Sequence, residues 1–118
     1  MNILEEICAH KKEEIDELKQ KKDKSFFLSA EQNKIRDFIE PLKTKNKFQY
    51  NLIAEIKKKS PSKGNIIDFF DPIKIAIDYE KAGAKCLSVL TEKKYFGGDV
   101  KFIKQIKEKV NLPILRKD

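Results

Sequence analysis

Three short apolar runs, NLIAEIK from Asn51, KCLSVLT from Lys85 and NLPILRKD from Asn111, recur with one helix-patterned segment in each gap, and no other feature limits the fold as much. Counted from Leu52, Cys86 and Leu112, the runs begin 34 and 26 residues apart. That leaves room for a crossover helix and two loops, so the strands are expected to lie parallel with right-handed connections. In the first gap, DPIKIAIDYEKAG predicts a helix with Asp71 as N-cap, Pro72 at its first position and Gly83 beyond its end. In the second, Asp99 is expected to cap a helix whose Phe102, Ile103, Ile106 and Val110 face one way. Pro113 opens the third strand.

Ahead of the strands, residues 2 to about 22 carry Leu4, Ile7, Cys8, Ile15 and Leu18 at helical spacing, which predicts an amphipathic helix. A second helix is expected to start near Ser29, where SAEQ places Gln32 three residues after a capping Ser. Ile35, Phe38 and Ile39 then share a face, Pro41 limits the helix, and LKTKNKFQY follows as a polar connector.

A parallel sheet needs helices on both faces or closure into a barrel, and a (β/α)₈ barrel takes ~250 residues. The expected class is therefore α/β, with the chain as the front of a TIM barrel: a helical extension over residues 1–47, then three parallel strands and two helices over 48–118. Ending on a strand, the chain reads as truncated. The alternative, a complete three-stranded domain, would leave that last strand as an open apolar edge.

Composition narrows the function. With 118 residues, 40% hydrophobic and 38% charged, the chain supports one core. It has no run of ~18 apolar residues and no apolar leader, which points to a cytoplasmic protein without membrane contact. Cys8 and Cys86 lie far apart with no CxxC spacing and read as two small buried thiols. His10 is the only histidine, so metal and hydrolase chemistry have poor support.

The net charge of +7 is uneven: residues 1–50 hold 11 Lys/Arg against 10 Asp/Glu, residues 51–118 hold 15 against 9. A basic nucleic-acid module would use such an excess, but the lysines stand beside a glutamate at a strand end and no nucleic-acid motif is present. No nucleic-acid partner is expected.

The cluster to explain is AEIKKKSPSKGN, Ala54 to Asn65. Alternation along a strand puts Glu55, Lys57 and Lys59 on one face and Ala54, Ile56 and Lys58 on the other. Ala54 and Ile56 suit a helix-covered side, and Lys58 reads as an outward, solvated bystander. The inward row climbs towards the C-terminal end of the strand, where parallel α/β folds hold their reaction sites. In LPILRKD, Leu115 and Lys117 share one face, so an inward Lys117 would meet Lys57 across the mouth. Crowded lysines can exchange protons near neutral pH, and ionised ones bind phosphate or carboxylate; a Schiff-base lysine would use the same surroundings. Ser60 and Ser62 offer hydroxyls in a turn fixed by Pro61, which suits either a substrate loop or a plain turn. KYFGG reads as a lid presenting Phe96 or as an ordinary connector. The residues alone reach a barrel enzyme acting on an anionic, phosphorylated substrate.

The motifs AEIKxxSPSKG, LSVLTExxYFGG and LPILRKD, in this order, resemble the indole-3-glycerol-phosphate synthase family of tryptophan biosynthesis, from about residue 50 to the last. The resemblance implies a (β/α)₈ barrel with a helical N-terminal extension. It also implies a carboxy-lyase that closes and aromatises a ring without metal or organic cofactor. Its substrate would be 1-(2-carboxyphenylamino)-1-deoxyribulose 5-phosphate, which loses carbon dioxide and water to give indole-3-glycerol phosphate. Implied roles are Lys117 as general acid, Lys57 as carboxylate ligand and aid to dehydration, and Glu55 as their positioner. Lys59 and Ser60 would serve the phosphate and sugar end, and Phe96 would line the aromatic pocket. Later strands of the family supply a glutamate base, an asparagine, a serine and a glycine-rich phosphate cradle that have no counterpart among these residues. The 118 residues alone are therefore expected to be inactive, with a complementary C-terminal half-barrel or self-association as the expected partner. A related barrel enzyme acting on a phosphorylated ribose isomer is the competing reading.

Overall fold

The computed structural model describes residues 1–21, 35–44 and 50–118. Two compact units emerge, Met1–Ile35 and Arg36–Asp118. In the first, α1 spans Ile3–Lys21. It opens on a reciprocal cap, Glu5 N–H donating to Asn2 Oδ1 at 2.9 Å and Asn2 N–H to Glu5 Oε2 at 3.1 Å. The two bonds satisfy donors that the first helical turn would otherwise leave unpaired.

No residue of α1 is buried, and Leu4, Ile15 and Leu18 are exposed. Cys8 is exposed too, which corrects the expectation of a buried thiol: it shares the exposed face of α1 with Leu4, Glu5 and Lys12, away from half-buried Ile7, Lys11 and Glu14. Cys86 in the second unit is buried as expected.

The predicted second helix falls largely on residues outside those described. Where it enters the described region, residues 35–37 carry no regular structure and the helix is instead α2, Glu40–Lys43. Pro41 sits in its first turn and so begins a short helix where it was expected to end the preceding one. The first helical turn has no use for the missing proline N–H, and proline's fixed φ already suits it. Asp37 prepares the turn, its Oδ1 accepting from the N–H groups of Ile39 and Glu40, both at 3.0 Å.

The rest of the second unit follows the βαβαβ rhythm. Strand β1 is Ile53–Ile56, β4 is Cys86–Leu90 and β5 is Ile114–Lys117, and they form one parallel sheet in the order β1-β4-β5. Between β1 and β4 lie a two-stranded antiparallel ladder, β2 (Lys59–Ser60) with β3 (Gly64–Asn65), and helix α3, Pro72–Lys81. Helix α4, Lys101–Lys107, connects β4 to β5.

The capping signals account for α3 well. Asp71 Oδ1 accepts from Lys74 N–H at 3.1 Å, Pro72 occupies the first turn, and Gly83 takes a φ of +99° just past the end. That backbone angle admits glycine with little cost. For α4 the expectation shifts slightly. Asp99 lies ahead of the N-cap Val100 but still accepts from Lys101 N–H at 3.0 Å, doing a cap's work from one position further out.

Central strand β4 is buried at every residue. Leu87 and Val89 join Ala54 and Ile56 of β1, Ala76 of α3, and Ile106 and Val110 of the α4 region in one apolar cluster. Fully burying a Val, Leu or Ile side chain contributes about 1.5–3 kcal/mol, so this layer outweighs any one polar contact in the unit. Arg36 ties the layer to the chain before the sheet. Its guanidinium donates to the carbonyls of Lys107, Val110 and Leu112 at 2.8–3.1 Å, satisfying acceptors left over where α4 ends.

Candidate active site at the C-terminal strand ends

Sheet register decides which side chains can meet. Glu55 pairs with Ser88, Ser88 with Leu115, and two residues on Leu90 pairs with Lys117. Ala54, Ile56, Leu87 and Val89 are taken up by the helix-covered core, so Glu55, Ser88, Leu90, Leu115 and Lys117 share the opposite face. The period-two reading of β1 is correct to this point. Lys117 reaches across β4 and donates to Glu55 Oε2 at 2.7 Å, while Lys57 Nζ lies 3.2 Å from Glu55 Oε1. The two lysines thus converge on one carboxylate.

The electrostatics follow from that bridge. The hydrogen bond from Lys117 is the main force holding the Glu55 carboxyl below its usual range; partial burial opposes it, and Lys57 adds to the lowering. Glu55 is an anion at neutral pH, flanked by two ammonium donors. A second hold acts on its backbone, where Tyr79 of α3 donates its hydroxyl to the Glu55 carbonyl at 3.2 Å. A cavity of about 350 Å³ adjoins this strand, with an apolar wall from Ile56, Ile66, Ile67, Ile75 and Tyr79.

Beyond Ile56 the strand ends, and strict alternation ends with it. Lys58 was expected to point away from Lys59, yet both stems close on Gly97: a Cβ there would lie 3.2 Å from Lys58 Cδ and 3.3 Å from Lys59 Cγ. Lys58 is exposed, as expected, but it leans against the loop after β4. Ser60 belongs to the β2–β3 ladder, a segment whose sequence suits either a substrate loop or a plain turn. Its hydroxyl accepts from Lys63 N–H at 3.2 Å and lies 3.5 Å from the Ser62 hydroxyl. Phe96 is half-buried in the loop after β4, its N–H donated to Glu92. Among the described residues, Lys59, Ser60 and Phe96 make no hydrogen bond or ion pair with Glu55, Lys57 or Lys117. They flank the cluster from neighbouring loops.

Two further groups stand out around β4. Thr91 N–H donates to the Lys117 carbonyl at 2.8 Å and its hydroxyl to Asp118 Oδ1 at 2.8 Å, while Arg116 Nε donates to Thr91 Oγ1 at 3.2 Å, which fixes the end of β5. Glu92, only 2% exposed, turns its carboxylate onto the backbone of the loop that follows. Neither residue had been singled out. The available signal was a carboxylate directly after the apolar run LSVLT, at the point where a buried strand meets its loop.

Parallel strands alternating with helices, with Glu55, Lys57 and Lys117 gathered at their C-terminal ends, make an α/β fold that fits the front of a TIM barrel. Sequence comparison narrows this to one family. The profile of the indole-3-glycerol phosphate synthase family matches residues 4–118, and the chain belongs to that family. It is 47% identical over 121 residues to the indole-3-glycerol phosphate synthase of Campylobacter hominis, covering 98% of this chain and 46% of that protein. The Microcystis aeruginosa protein of the same name is 45% identical over 99% of this chain and 40% of its own length. That of Geobacillus thermodenitrificans is 44% identical over 98% of this chain and 42% of its own. The chain therefore spans less than half the length of these curated relatives.

Proposed function

We propose that these residues form the first part of an indole-3-glycerol-phosphate synthase, a carboxy-lyase, and that the Glu55–Lys57–Lys117 cluster performs its acid chemistry. The observation that carries this reading is the single carboxylate shared by two lysines from β1 and β5. Ring closure of 1-(2-carboxyphenylamino)-1-deoxyribulose 5-phosphate requires a proton on the substrate carbonyl as the aromatic carbon attacks it. Carbon dioxide then leaves with its electron pair returned to the ring, and loss of water gives indole-3-glycerol phosphate. Lys117, an ammonium donor on the mouth face, supplies the first proton. Lys57 pairs with the substrate carboxylate and assists the later loss of hydroxyl. Glu55 positions both and is released from one of them when substrate enters. Lys59 and Ser60 face the phosphate and sugar, and Phe96 contacts the anthranilate ring. No metal or organic cofactor enters this scheme.

The test is formation of the indole chromophore from that substrate, followed by fluorescence, in the chain assembled with the remainder of its barrel. Turnover that is lost in Lys117→Met supports the assignment. Full turnover in that variant would remove Lys117 from the chemistry.

A further inference from the structure

We infer that Glu92 is a positioning residue for the substrate pocket, acting through the loop 93–98 that carries Phe96; this rests on the function proposed above. A carboxylate so fully buried needs a reason to be there, because burying a charge costs unless its oxygens are well bonded. Glu92 lies outside the Glu55 cluster and is met instead by three successive backbone donors. Its Oε1 accepts from Lys94 N–H at 3.0 Å, and its Oε2 from Tyr95 N–H at 2.7 Å and Phe96 N–H at 3.1 Å. The carbonyl of the same residue accepts from Gly98 N–H at 2.7 Å, and Gly97 N–H bonds the Lys93 carbonyl at 3.1 Å. Glu92 thus holds both the head and the tail of the loop. Phe96 is one of the three residues whose backbone it fixes directly.

The glycines close the loop on both sides. Gly98 lies so close to β4 that a Cβ would be 2.3 Å from the Leu90 carbonyl oxygen and 2.8 Å from Thr91 Cα. Gly97, at φ +65°, faces the stems of Lys58 and Lys59. A loop pinned inside by Glu92 and packed outside against Lys59 sets two proposed substrate contacts at once. Loosening Glu92 should therefore weaken substrate binding while leaving the acid chemistry of Lys117 in place.

The experiment measures KM and kcat for 1-(2-carboxyphenylamino)-1-deoxyribulose 5-phosphate in the assembled barrel, for the unaltered protein and for Glu92→Ala, Glu92→Gln and Phe96→Ala. A loop displaced by about an ångström costs on the order of a hundredfold in kcat/KM, and here most of the loss should fall on KM. The amide of Glu92→Gln keeps one oxygen for Tyr95 and Phe96 N–H and should recover part of the loss. Adding Phe96→Ala to Glu92→Gln should cost less than the sum of the two. A purely structural role would lower the amount of active protein and leave KM alone, and an unchanged KM in Glu92→Gln and Glu92→Ala overturns the inference. If Glu92→Ala does not fold, the Glu92→Gln and Phe96→Ala cycle decides, and strict additivity there counts against it. Absence of turnover in the unaltered protein is a separate result, which removes the proposed function and the inference with it.

Discussion

At the scale of single residues, Glu55 carries the greatest burden, and it leaves a signature in pH. Its carboxyl is held below the usual range in the folded chain, chiefly by Lys117, so ionised Glu55 adds stability above its unfolded pKa. That contribution is fully present near neutrality and is lost as pH falls below about 4.5 and through the folded value. The stability gap between the natural protein and Glu55→Gln, from urea unfolding at a series of pH values, is expected to be widest at neutral pH and to close in acid. If Lys117 acts as the proposed general acid, Lys117→Met in the assembled barrel is expected to lower kcat by roughly 10²–10⁴, with the fold kept. Gly98→Ala drives a methyl into the backbone of β4 and should cost about 1–3 kcal/mol or more in the same unfolding experiment.

At the scale of elements, legibility depended on whether the determining interaction was local. Helix α3 could be read because its start and stop lie in its own residues, Asp71, Pro72 and Gly83. Replacing Asp71 by Ala should cost about 1 kcal/mol, measured as a shift in the urea midpoint. Pro41 was misplaced because proline ends one helix and begins another equally well, and only Asp37, bonding forward to Ile39 and Glu40, chooses between them. Ladder β2–β3 was missed because two-residue strands have no periodicity to detect. In the candidate site, the meeting of Glu55 with Lys117 was half legible. Alternation told which face each occupied and the family resemblance implied Glu55 as positioner of both lysines, but the register that joins Lys117 to it through β4 is non-local and came only from the structure. Glu92 is an exception, since its bonds reach only two to four residues ahead, yet a carboxylate bound to backbone N–H groups needs no particular partner residue that a sequence could display.

At the scale of the whole molecule, the described sheet pairs β1 and β5 on one side each, both against β4. Turnover is expected to be absent from the 118 residues alone and to appear when they are combined with the remaining barrel strands. A purified 118-residue protein that converts the substrate unaided would contradict this.

The bond between Glu55 and Lys117 spans 62 residues of chain and crosses a strand that lies between them in both sequence and space. It cannot close by a local fluctuation. The central strand must first be seated, because a slip of β5 by one residue would turn Lys117 to the other face. Closing a contact so distant in sequence costs the entropy of the long intervening loop, so it is expected to follow the local helices. The charge cluster is therefore a timestamp: its assembly marks the moment at which the strands have found their register, and a probe of Glu55 ionisation during refolding should report that step after the helices have formed.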